Sequence, residues 1–295
     1  MQYSLVNRFR GAFLGAALGT VLGRNCSRSA AQSWQLIEQW GFADISPASE
    51  VTGGQFIVRQ AHQIIQSPHF PHLPEANPES ADFLLALLPL LLFYHDTPEQ
   101  IHLLSSHRTS AAILTLSSLL SAILQEQFHL DRLLPQLLHR FAMDQTDPAF
   151  TAQLQQVQSC LVQSCPLTDS ALLSLSPLCL ALSAFFQTPT DFRLSLLRSA
   201  QISTQPEITC TIAGFLSGAH LSLAGIPVGW RRILDRSMPS ASPLSFLWGL
   251  PNTTALLTFA DQFWAAWSGA FQPEQWIQEP MATTVTAAPH LIRPR

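Results

Sequence analysis

The sequence predicts an all-α protein in a single domain over residues 1–275, followed by a polar, loosely ordered tail at 276–295. Three observations carry this reading. Strand-like alternation is scarce and β-branched residues are thin outside 202–212, while apolar residues recur at helical spacing between Pro and Gly breakers. Gly11, Gly15, Gly19 and Gly23 recur every four residues, a row that suits a helix whose backbone a neighbour approaches closely. No shift in composition divides the 295 residues, a length that buries a substantial core.

The elements follow in order. The glycine row defines a first helix over 8–23, with a second over 30–40 and a loop at 43–51. A helix fits 55–66, and "SPHFPHLPEANPES" (67–80) is a Pro-rich connection. Periodic segments at 81–94, 97–106, 109–126, 129–142, 147–163, 169–187 and 190–201 predict further helices. The stretch "STQPEITCTIAG" (203–214) reads as a helix start, because Pro206 suits a first turn where a backbone N–H has no intrahelical partner. That helix runs over 206–224 and stops at Gly225-Ile226-Pro227. Residues 237–252 read as a loop. The last helix, 253–270, is amphipathic and carries Phe259, Phe263, Trp264 and Trp267. That spacing points to a core face or a partner surface rather than a cofactor box.

Composition excludes several classes of function. Charged residues make up 12% and the net charge is −4, so nothing electrostatic favours nucleic acid or an anionic membrane. All fifteen cationic side chains are Arg, which removes lysine Schiff-base chemistry and a Walker-type lysine. The five cysteines (26, 160, 165, 179 and 210) form no CxxC, which points to reduced, buried thiols in a cytoplasmic protein. Arg8 and Arg10 before "GAFLGAALGTVLG" imitate a secretory signal, a reading the glycine row opposes. The block "FLLALLPLLLFY" (83–94) is shorter than the ~20 residues a membrane span requires. Of His62, His69 and His72, two lie in the Pro-rich connection, and no HExxH, GxSxG or strand-borne GxGxxG is present.

Four segments, in order across residues 8–235, resemble the ADP-ribosylglycohydrolase family. "RFRGAFLGAALGTVLG" (8–23) resembles its opening helix. "LLALLPLLLFYHDTPEQ" (84–100) resembles its M-R-x-x-P-x-G-L segment, and "SSHRTSAAILTLSSLLSAIL" (105–124) its threonine-histidine segment and Ala-rich helix. "TIAGFLSGAHLSLAGIPVGWRRIL" (211–234) resembles the closing A-I-A-G-A-x-x-G-A-x-x-G-x-x-x-I-P-x-x-W, the most specific of the four. The resemblance implies a compact orthogonal multi-helix bundle. It also implies a binuclear Mg²⁺ or Mn²⁺ site that cleaves a glycosidic bond to ADP-ribose, with ligands from a T-D-D-T motif and a G-D-x-D-T motif. Two hard cations held together need several carboxylates to offset their repulsion.

This chain departs from the family at those motifs. The T-D-D-T segment reads "VTGGQFI" (51–57), so Thr52 remains while Gly53, Gly54 and Gln55 replace the two aspartates and the second threonine. The family's opening G-D reads Gly19-Thr20. At the closing helix, Gln205, Glu207 and Ile208 stand for the two aspartates and the threonine. The resemblance therefore marks Thr20, Thr52, Gly53, Gly54, Gln55, Gln205 and Glu207 as a degenerate ligand-binding cleft with no metal and no predicted cofactor. Glu207 is the candidate acid or base, with Glu50 and Asp44 as the acids able to support it. A capping box, Thr204 as N-cap with Glu207 at N3, accounts for Glu207 without chemistry.

Three functions follow as expectations. The first is a pseudoenzyme that binds ADP-ribose or a related nucleotide in a vacated cleft. The second is an active hydrolase with a reduced Mg²⁺ or Mn²⁺ site. The third is a structural or assembly subunit that meets a protein partner through the C-terminal aromatic helix.

Overall fold

The computed structural model describes residues 4–28, 52–66, 81–104, 111–144, 147–163, 174–235 and 242–270. These residues are 84% helical, with no strand among them. The expected helix at 30–40, the loop at 43–51, the Pro-rich connection and the C-terminal tail lie outside the described residues, as do Asp44, Glu50 and Cys165.

The chain opens with α1 (Leu5–Arg28), a helix of 24 residues. It continues through α2 (Gly53–Gln66), α3 (Ala81–Phe93), α4 (Pro98–Leu104), α5 (Ala111–Leu124), α6 (Leu130–Asp144) and α7 (Pro148–Gln163). Then follow α8 (Pro177–Gln187), α9 (Phe192–Ile202), α10 (Pro206–Gly225), α11 (Val228–Leu234), α12 (Pro243–Trp248) and α13 (Thr253–Ser268).

Two helix boundaries correct the sequence reading. The helix expected over 169–187 begins at Pro177, because Ser176 is its N-cap, accepting from Cys179 N–H, and Pro177 occupies the first turn. The segment read as a loop, 237–252, contains α12. There Ser242 accepts from Ser245 N–H, Pro243 opens the turn, and Gly249 closes it in the left-handed conformation at φ 71°. Start and stop signals seven positions apart are easily taken for loop composition, and they make a six-residue helix here. α11 was also not anticipated beyond the Gly-Ile-Pro stop.

The glycine row organises the core. α1 and α10 run antiparallel in backbone contact: a Cβ at Gly11 would run into Gly218 O, at Gly15 into Gly214 O, at Gly19 into Cys210 O and at Gly23 into Pro206 O. α10 returns the contact, since a Cβ at Gly214 or Gly218 would strike the carbonyl of Gly15 or Gly11. Hydrogen-only side chains let the helices close to a separation at which dispersion between the backbones is gained along the whole interface. α10 is also long and apolar enough to cross a membrane by length and composition, and 67% of that window is buried in the fold. Around this pair, Phe13 packs edge-on to Phe215, Phe259 and Phe263, which ties α13 to α1. Phe259 and Phe263 are therefore core residues, and Trp267 packs at a tilt against Phe9 and His95.

α10 bends where it passes Gly11. Ser222 lies inside the helix at φ 59°, ψ −177°, fully buried, and its Oγ accepts from Ala224 N–H at 3.2 Å. Arg231 of α11 then reaches back to the carbonyls at the end of α10, donating to Ile226 O at 2.7 and 3.0 Å and to Leu223 O. Leu223 O also accepts from the Ile226 cap N–H at 3.4 Å, and carbonyls at a helix end keep acceptor capacity that suits a guanidinium fork.

Candidate functional site

The site is assembled where the N-terminal ends of α2 and α10 meet α1. Thr20 sits in the middle of α1, fully buried. Its hydroxyl donates back to Ala16 O at 2.9 Å, or shares a proton with Thr211 Oγ1 of α10, also at 2.9 Å. Thr211 in turn donates to Glu207 O at 2.6 Å. The glycine contact thus brings the N-terminal turns of α10 against the C-terminal half of α1 and joins them through two threonines.

Thr52 immediately precedes α2, and its carbonyl accepts from the N–H groups of Gln55 and Phe56. Its side chain donates to Leu247 O, and the Gln55 amide donates to Phe246 O at 3.4 Å. The carbonyl end of α12 is thereby clasped by the start of α2. Gly53 is backed by the Leu85 side chain, and Gly54 lies flat against the Trp248 indole, where a Cβ would also stand 2.7 Å from Leu247 O. The indole, 1% exposed, passes beneath Gly54 and donates from Nε1 to Thr20 Oγ1 at 3.3 Å.

Glu207 does not cap α10. The N-cap is Gln205, exposed and without a side-chain cap bond, so Thr204 falls one residue too early for the expected box. The start of the helix is held instead by Ser203, whose Oγ lies 2.7 Å from Thr209 Oγ1 and accepts from Gln205 N–H at 3.0 Å. The Glu207 carboxylate meets the Arg24 guanidinium at 3.0 Å in a half-buried ion pair. Arg24 follows Gly23, and Gly23 rests on Pro206 and Glu207. The antiparallel register therefore delivers the cation to the acid.

Of the seven residues marked by sequence, Thr20, Thr52, Gly54 and Gln55 converge on α12. Gly53 faces α3, Glu207 sits one turn before Thr211 beside Arg24, and Gln205 points to solvent. Trp248, Thr211 and Arg24 were missed. Arg24 was recoverable from the register of the glycine row, and Trp248 from asking what stands over a glycine at the start of a helix. The cleft imagined beside Gly53 and Gly54 is filled at Gly54 by Trp248.

The donors here do not fit a pair of hard divalent cations. Such ions need several oxygen ligands with negative charge among them. The positions offer one carboxylate, already paired with Arg24, and hydroxyls already engaged with carbonyls, each other or the indole. Among the described residues no group of three or more His, Cys, Asp or Glu is placed to hold a metal. Cavities among the described residues lie elsewhere. One of about 670 Å³ is lined by Leu134, Pro135, Phe186 and Arg198. Another, about 540 Å³, lies between His62, Asn252 and Phe259.

The described residues form an all-helical scaffold built on a glycine-lined antiparallel helix pair, with threonines and Glu207 where the starts of two helices meet it. The chain belongs to the ADP-ribosylglycohydrolase family, which it matches over residues 63–272, more than two thirds of its length. The match starts within α2, past Gly53 and Gly54, and takes in α10, α12 and all of α13. No curated protein matches this chain.

Proposed function

We propose that this ADP-ribosylglycohydrolase-family protein does not cleave glycosidic bonds and acts by recognition, as a binding or regulatory member. The observation that carries the reading is the state of Glu207. It is the one acid among the seven family-derived positions, and its carboxylate is committed to Arg24 at 3.0 Å. A general acid or base must face the substrate, and this carboxylate instead accepts from the Arg24 guanidinium of the neighbouring helix. A metal ligand must face a cation, and here the permanent cation is a side chain of the protein. The family supports ADP-ribose or a related nucleotide as the ligand class, and the protein partner expected at the C-terminal aromatic helix is the other candidate.

The test pairs turnover with binding. Purified protein is incubated with a mono-ADP-ribosylated protein in Mg²⁺ or Mn²⁺, and released ADP-ribose is quantified. ADP-ribose is titrated calorimetrically with and without the metal. No release, with binding indifferent to metal, is the expected result. Metal-dependent release that disappears in Glu207→Gln would overturn the proposal.

A further inference from the structure

We infer that Trp248 is a resident plug: its indole occupies the place where the resemblance sets the family's metal ligands, and closes that place to divalent cations. The inference deepens the non-hydrolytic reading and rests on it for its functional meaning, but it comes from separate observations.

The first is steric. Gly54 has no Cβ, and any Cβ there would collide with Trp248 Cδ1 and Nε1 and stand 2.7 Å from Leu247 O. An aspartate at 54 and the indole of Trp248 cannot share this volume. A side chain at 54 and the indole at this place are alternatives.

The second is the direction of the hydrogen bond. Indole Nε1–H is a donor with no acceptor capacity. It points at Thr20 Oγ1 at 3.3 Å, in the position where the resemblance places a family aspartate. A metal ligand presents a lone pair to a cation, whereas this group presents the positive end of an N–H dipole. The hydroxyl chain from Thr20 to Thr211, 2.9 Å long, then passes the polarity on to α10.

The third is anchorage. α12 carries start and stop signals of its own in Ser242 and Gly249. Its terminal carbonyls are held by Thr52 and Gln55, two residues of the segment that resembles T-D-D-T. The motif that resembles a metal cradle holds a helix end instead. Burial of the indole to 1% exposure makes the plug part of the core.

The test uses the full chain labelled with 5-fluorotryptophan and read by fluorine NMR. The Trp248 signal is assigned by its loss in Trp248→Phe. Should that variant fail to fold, Gly54→Ala assigns the signal by displacing it, since the added methyl meets the indole. We expect the Trp248 line to show no solvent isotope shift between H₂O and D₂O and to keep its width in millimolar Mn²⁺. A Mn²⁺ ion among Thr20, Thr52 and Gly54 would touch the ring and broaden the signal beyond detection, and that result refutes the plug. A full isotope shift refutes it equally. Hydrolysis is measured on the same sample: turnover with a sharp, protected Trp248 line overturns the non-hydrolytic reading and leaves the plug standing. A broadened line without turnover does the reverse.

Discussion

Gly15→Ala is the sharpest probe of what holds this fold together, because the two effects of the substitution oppose each other. In a helix interior, alanine is favoured over glycine by about 1 kcal/mol. Against this, the new methyl at position 15 would run into Gly214 O and stand 2.9 Å from Gly214 C and 3.2 Å from Gly218 Cα. All three are backbone atoms of α10, so no rotamer change relieves the contact, and the helices must part along an interface fixed at four successive glycines. Overpacking of a tight core costs about 1–3 kcal/mol, and backbone partners place this site at the upper end. The net loss is about 2 kcal/mol, or roughly 4–8 °C in melting temperature for a domain of this size. Gly229→Ala in α11 is the matched control, since a Cβ there meets nothing within 4 Å. The same propensity gain should then appear unopposed and raise stability by about 0.5–1 kcal/mol. Urea unfolding of both variants, followed by circular dichroism, gives the comparison. Equal shifts of the same sign would refute the close-contact argument.

Two further outcomes follow from individual residues. Ser222→Gly should stabilise the protein by about 1–2 kcal/mol, since a conformation of φ 59°, ψ −177° costs a non-glycine residue about 1–3 kcal/mol, partly offset by the bond from Ala224 N–H to Ser222 Oγ. Thermal unfolding checks this, and a lower melting temperature in the glycine variant would refute it. His220 lies against the rings of Phe128 and Phe185, and burial, with a smaller contribution from Arg8, lowers its pKa below the usual 6.5. Its folded pKa is depressed, so the unfolded chain takes up a proton first. Stability is unaffected by this group above pH 6.5 and falls as the pH drops through 6.5 toward the folded pKa. Comparing urea midpoints at pH 7.5 and 5.5 in wild type and His220→Phe tests the sign, with the wild type expected to lose more; Glu126, the partner of Arg8, is present in both.

The elements legible in the sequence were those written in periodic packing. The row Gly11 to Gly23 announced a helix under close approach, and the closing motif held its partner glycines, Gly214 and Gly218. The same motif carried a further warning that went unread. At the position where it has its third glycine, this chain has Ser222, and that residue adopts the backbone conformation glycine would take without strain. The residues around the candidate site were legible one at a time, and their arrangement was not. Thr204-Gln205-Pro206-Glu207 satisfied the spacing of a capping box, but the helix began one residue later than the box requires, and Glu207 found a stronger partner 183 positions away. Local spacing cannot rank a cap worth about 1 kcal/mol against a charge delivered by tertiary register. Trp248 was hidden for a similar reason: a six-residue helix between Ser-Pro and Gly has the composition of a loop, and its meaning lies in what it covers.

The pattern of what is kept and what has changed has an electrostatic logic. In a two-metal site the carboxylates and the cations stabilise one another, and removing either alone leaves like charges packed together in a poorly solvated place. A scaffold that gives up the metals must therefore give up the acids with them. Here Gly53, Gly54, Gln55, Thr20 and Gln205 are all uncharged, and the acid among the seven family-derived positions, Glu207, faces a cation fixed in the chain. Neutralising the site leaves a second problem, the volume the acids and ions would fill, and a void lined by backbone and hydroxyls would forfeit its packing contacts. On the proposed reading Trp248 fills that volume; the structure has its indole against Gly54, with the N–H donated to Thr20 Oγ1. The glycines at the α1–α10 contact answer to a different constraint: helix–helix distance is set by backbone contact whatever the site contains. Packing and charge are thus separable constraints, and on the proposed reading the family fold persists here on the first alone.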